Sequence, residues 1–250
     1  MTVLPAIVML LEKAAIDNGF DLARAAQGPW RAFASTHAPM TVWLSADPAG
    51  RPLVALSRAD VANELGFDSA AISLPDDAQA ALLLPDIASV HALLRRAFQL
   101  ANALPDNLLR RYQTQTAAMP KTTEAERLVV QRVGQDLFRD GLLDYWDGRC
   151  AVTGLAVPEL LRASHIKPWA ASTDEERLDV FNGLLLAPQL DAAFDRGFIT
   201  VDDSGSVLLS PALSPDDRRH LALNDTLRIS RLADRHRQYL VYHREVVFRR

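Results

Sequence analysis

Between residues 182 and 197 the chain leaves little conformational choice. Asn182-Gly183 marks a turn, residues 184–187 form a short apolar strand, Pro188 closes it, and Asp191 and Asp195 follow four residues apart. If the segment after Pro188 is helical, both carboxylates lie on one face and can share one cation. Oxygen-only ligands favour a hard ion, Mg²⁺ or Mn²⁺, over zinc. Upstream, His165 ends another short apolar stretch, and Pro168 stops further strand pairing. A strand, a loop, a second strand and a helix therefore place one histidine, one asparagine and two aspartates within about thirty residues.

The wider wording runs from Cys150-Ala-Val-Thr-Gly154 through Ala163-Ser164-His165-Ile166-Lys167-Pro168-Trp169 to Glu176-Arg177-Leu178-Asp179. It continues with Asn182-Gly-Leu-Leu-Leu-Ala-Pro188 and Asp191-Ala-Ala-Phe-Asp195-Arg-Gly197. This series resembles the HNH, or ββα-metal, endonuclease family, in the restriction-associated branch of bacteria and their phages. The resemblance covers roughly residues 125–213, with 150–200 as its specific part. It implies that His165 is the general base and that Asn182 orients it. It also implies that Asp191 and Asp195, nine and thirteen residues after Asn182, hold the metal. Two departures stand out. Many members carry an Asp or His ligand directly before the base, where this chain has Ser164. Others bracket the motif with zinc-binding cysteine pairs, whereas Cys150 is the single cysteine. No zinc is therefore expected; packing holds the motif, and Cys150 is a small buried hydrophobe.

With 250 residues, 49% hydrophobic and 23% charged, the chain can build a core and is not wholly disordered. The expected fold class is α+β: a mixed α/β specificity domain over residues 1–115, then a ββα-metal (HNH) nuclease domain over 116–250, with residues 113–121 as linker. In the first half, residues 1–20 read as a helix stopped by Asn18-Gly19. Two strands, 41–44 and 52–56, form a hairpin; Ser57 caps a helix to Leu65; another helix spans 87–103. In the second half, Thr123 and Glu126 form a capping box ahead of a stripe of Leu128, Val129, Val133, Leu137, Phe138, Leu142 and Trp146. Residues 238–248 read as β-rich.

Charge gives a weaker guide. A net charge of −4 offers no global attraction to nucleic acid. From residue 218 onward, however, nine arginines face only Asp225, Asp234 and Glu245. Lys167, Arg177, Arg228, Arg231, Arg235 and Arg237 are the candidate DNA contacts, Arg177 being alternatively a structural partner of Asp179. Trp30, Phe33 and Trp43 are either core or the lining of a pocket for a flipped, modified base. Residues 1–11 are apolar but lack a basic leader and run into Glu12-Lys13, so a packed helix is expected, not a signal peptide or membrane span. One cysteine suits a reducing cytoplasm.

Together these readings point to a Mg²⁺- or Mn²⁺-dependent endonuclease acting on double-stranded DNA, restriction-type and dependent on base modification in part of that branch. A homodimer, paired through the stripe at 128–146 or the C-terminal tail, would present one site to each strand. The alternatives are a weakly specific nuclease of a mobile element, a nuclease acting on RNA, and a DNA-binding or sensing protein left inactive by Ser164.

Overall fold

The computed structural model describes residues 5–67, 73–120 and 122–250, apart from the Pro5 side chain, and the chain divides into two compact units, Met1–Leu104 and Pro105–Arg250. The expected boundary after residue 115 lies eleven residues further on, inside a helix. Residues 113–116, read as linker, are the last turn of that helix, Pro105–Thr116. Its polar composition conceals the anchor: Leu108 is fully buried, and the Thr116 hydroxyl donates back to the Tyr112 carbonyl.

The first unit is an antiparallel meander of five strands: β1 (Leu22–Gln27), β2 (Trp30–Ala34), β3 (Thr41–Ala46), β4 (Pro52–Leu56) and β5 (Ala80–Leu83). Helices α1 (Pro5–Asp17) and α3 (Ile87–Ala103) pack on β3 and β4 and on each other. Gly19, at φ +86°, ends the first helical segment as expected. The hairpin is also as expected, with Trp43 opposite Ala55. Ser57, however, caps nothing. Helix α2 (Ala59–Glu64) starts after Arg58, while the Ser57 hydroxyl accepts from the Thr41 amide and belongs to the strand end. Side chains alternate across a strand. Trp30, Ala32, Trp43, Ala55 and Ala81 cluster on one face, and Phe33, opposite Val42, lies on the other.

In the second unit α4 (Pro105–Thr116) and α5 (Glu124–Tyr145) precede the motif. The capping box of Thr123 and Glu126 opens α5 as expected. Leu137, Phe138, Gly141, Leu142 and Tyr145 are buried at helical spacing, and this half of the stripe is used within the unit. Leu128 and Val129 remain exposed. At Gly141 an added Cβ would sit 2.5 Å from Leu108 and 3.1 Å from Val180, so α5 packs closely on both neighbours.

Then come β6 (Arg162–His165), α6 (Asp174–Arg177), a 3₁₀ turn (Val180–Asn182), β7 (Gly183–Leu186) and α7 (Pro188–Asp195). β6 and β7 pair antiparallel, with His165 opposite Gly183. A small hairpin, β8 (Ile199–Val201) and β9 (Val207–Leu209), leads to α8 (Pro215–His220). The tail expected as strand is helical: α9 (Asp234–Tyr242) runs into a π turn (His243–Val247). Its β-branched residues mislead, because His236, Tyr239, Leu240 and His243 are the buried positions and recur at helical period. Among the described residues no helix is long and apolar enough to cross a membrane.

Candidate active site

His165 ends β6 with its ring stacked on Phe138 from α5, centroids 3.7 Å apart and planes 16° from parallel. Trp169 meets the same ring edge-on at 5.3 Å. The imidazole Nε2 lies 3.0 Å from the Arg177 carbonyl. A carbonyl only accepts, so Nε2 carries the hydrogen and Nδ1 keeps its lone pair. Burial pushes the histidine down to about 4, leaving it neutral at neutral pH.

Asn182 was expected to orient His165, yet it makes no hydrogen bond to the ring. Fully buried, it ties the connecting loop instead: Nδ2 donates to the Glu176 carbonyl at 2.9 Å, and Oδ1 accepts from the Lys167 amide at 2.8 Å. The carbonyl that holds His165 belongs to the next residue, Arg177. One peptide unit therefore separates the carbonyl that Asn182 holds from the one at His165.

The turn bearing Asn182 is itself anchored. Asp179 caps it by accepting from the Phe181 amide, and its other oxygen takes the Tyr239 hydroxyl at 3.0 Å and Arg235 at 3.4 Å. Burial raises the Asp179 carboxyl, against the opposing pull of those donors. The expected pair of Asp179 with Arg177 does not form, because Arg177 binds Asp174 and the Trp169 carbonyl and stacks over the Trp169 ring.

Asp191 and Asp195 lie one turn apart on α7, as the proline-led segment implied. Ser164, buried on β6, donates to Asp195 at 3.0 Å. Loss of hydration raises both carboxyls; repulsion from Asp195 adds to the rise at Asp191. Two carboxylates and a hydroxyl are an oxygen donor set that fits a hard divalent ion completed by water and phosphate. No group of three His, Cys, Asp or Glu side chains forms a cage among the described residues. Asp195 and His165 line one cleft of about 460 Å³ with Trp169, Arg196 and His243. Buried His243 serves the scaffold, bridging Thr200 and the Phe194 carbonyl. Cys150 is buried, its Sγ accepting from the Ala187 amide.

Most of the expected DNA contacts are committed elsewhere. Lys167 is clamped to both oxygens of Glu176 at 2.7 Å. Arg228 bonds Ser206 and the Ser204 carbonyl; Arg231 bonds the Tyr145 carbonyl and stacks on that ring. Arg235 serves Asp179, and Arg237 pairs with Asp234. Sequence position gave them net charge but not their partners. In the first unit, a cavity of about 900 Å³ is lined by Trp30, Ser45, Asp47 and Asp76 among others. Trp43 sits in the cluster behind Trp30, and Phe33 is on the opposite face of the sheet.

Sequence reasoning missed Phe138 as the stacking partner, the Arg177 carbonyl as the tautomer lock, and Tyr239. Phe138 had a signal in the α5 stripe; Tyr239, some sixty residues from Asp179, had none. Comparison with curated proteins gives no match. Residues 150–202 do match the family model of the HNH endonucleases, the span that carries His165, Asn182, Asp191 and Asp195, and this segment is assigned to that family.

Proposed function

We propose that the chain is a metal-dependent, restriction-type endonuclease that hydrolyses phosphodiester bonds in double-stranded DNA. The observation that carries this reading is a neutral His165 with an unprotonated Nδ1, sharing one cleft with the Asp195 carboxylate. Nδ1 takes a proton from the water that attacks phosphorus, and the bond from phosphorus to the 3′ oxygen breaks. Phe138 and the Arg177 carbonyl hold the ring so that Nδ1, not Nε2, receives the proton. An incoming phosphate anion favours the imidazolium that results. Asp191 and Asp195, with Ser164 ordering the second, would hold Mg²⁺ or Mn²⁺, which neutralises phosphate charge and stabilises the departing oxygen.

The first unit supplies specificity in this reading. Its Trp30-lined cavity has room for an extrahelical base, with Asp76 as an acceptor for an exocyclic amine. Two copies related by a twofold axis would match the two strands of a duplex, and sedimentation with and without DNA measures that.

Supercoiled plasmid, unmodified and cytosine-methylated, tests the reading with Mg²⁺, Mn²⁺ or EDTA. Metal-dependent nicking or linearisation that His165→Ala abolishes is the expected result, with methylated plasmid cut faster. One observation favours a second reading, an inactive DNA-binding protein: Ser164 supplies a hydroxyl where a charged ligand would otherwise stand. DNA retained with and without metal and never cut would establish that reading and overturn the first.

A further inference from the structure

Two arginines adjoin the carboxylate pair in the second unit. Arg196 directly follows Asp195, is exposed, and lines the cleft with His165. Arg162 is exposed at the start of β6, two residues from Ser164 and so on the same side of the strand. The Ser164 hydroxyl on that side reaches Asp195 at 3.0 Å, so Arg162 faces the carboxylate pair. Yet among the described residues neither guanidinium makes a hydrogen bond or ion pair, and neither Asp191 nor Asp195 is in a salt bridge.

Several other arginines close on a neighbouring carboxylate, as Arg51 does on Asp47, Arg177 on Asp174 and Arg244 on Asp203. Arg162 on β6 and Arg196 at the end of α7 adjoin Asp191 and Asp195 without forming ion pairs with them. The carboxylates stay free for a cation and the guanidiniums for an anion. A nucleic-acid strand repeats its negative charge at regular intervals, so a cation site with two free arginines beside it offers contacts to a phosphate and its neighbours on one strand.

We propose that Arg162 and Arg196 grip the phosphates on either side of the scissile one, acting with the carboxylate pair on a single DNA strand. The inference rests on the nuclease reading and names its DNA-backbone contacts. These replace Lys167, Arg228, Arg231 and Arg235, whose side chains are held by the protein itself.

The test is fluorescence anisotropy of the full chain on a labelled duplex in EDTA, over a salt series from about 50 to 200 mM. Wild type is compared with Arg162→Gln, Arg196→Gln and Arg228→Gln. Each of the first two should flatten the slope of log K against log salt by about 0.9, so that affinity falls about 3.5-fold less across the series. Arg228→Gln should keep the wild-type slope. Melting temperatures of the first two should stay at the wild-type value, since no partner is lost. If wild type binds DNA and either variant keeps the full slope, the two-sided grip is overturned while the nuclease reading stands. If wild type neither binds nor cuts DNA, the nuclease reading falls and takes this inference with it.

Discussion

Tyr239→Phe removes one hydroxyl from a residue that lies outside the matched family segment and well away in sequence from His165. That hydroxyl donates at 3.0 Å to Asp179, a carboxylate only 6% exposed. Asp179 would keep the Phe181 amide and a longer contact to Arg235 at 3.4 Å. A hydrogen bond to a buried charge is worth about 1.5–3 kcal/mol. For a unit of this size each kcal/mol moves the melting temperature by about 2–4 °C, so a fall of roughly 3–12 °C is expected. The functional consequence follows the same chain of contacts. Asp179 caps the turn that carries Asn182, Asn182 holds the Glu176 carbonyl, and the adjacent Arg177 carbonyl fixes the His165 tautomer. Loosening that chain should lower kcat roughly ten- to a hundredfold, as small misplacements of catalytic groups do. KM and the salt slope of DNA binding should stay near wild type, because no DNA contact is touched. The assay is plasmid cleavage at a temperature well below both melting points, which removes global unfolding as a cause. An unchanged melting temperature would refute the buried-charge reasoning. A lowered one with unchanged kcat would refute the link from α9 to the histidine.

Two further perturbations probe the same architecture. Gly183→Ala should destabilise the second unit by about 1–3 kcal/mol. The new Cβ would sit 2.5 Å from Phe138 and 2.8 Å from Leu142. Because Phe138 also stacks on His165, cleavage should fall as well; a variant with wild-type melting and activity would show the contact to be slack. Acid should weaken the fold well above the carboxylate range. Burial holds His165, His236 and His243 at about 4 against an ordinary value of 6.5, so the unfolded chain binds their protons first as pH falls. Their stabilisation is complete above about pH 7 and drains away between about 6.5 and 4, on the order of 2 kcal/mol per histidine by pH 5. The raised carboxyls of Asp179, Asp191 and Asp195 act in the opposite sense, gaining stability on protonation at lower pH. Denaturant titrations at pH 7.5 and pH 5 that give equal stability would contradict this account.

Local chemistry made part of this protein legible in its sequence. Pro188 and the four-residue spacing of Asp191 and Asp195 placed both carboxylates on one helical face, and that needs only the period of the helix. The capping box at Thr123 and Glu126 and the hairpin at 41–56 are equally local and stand where expected. The tertiary structure decided whatever depends on the partner a side chain finds. Asn182 bonds the loop and not the ring, whose Nε2 is held by the Arg177 carbonyl. Gly183 sits in extended backbone, φ −149°, and glycine is required there by the Phe138 ring, not by a turn. The arginine-rich tail had the charge expected of a DNA-binding face, but the fold ties three of its guanidiniums, those of Arg235, Arg231 and Arg228, to Asp179, the Tyr145 carbonyl and Ser206. Sequence period specifies which residues share a face within one element; only packing between distant elements specifies which of them are left free to meet a substrate.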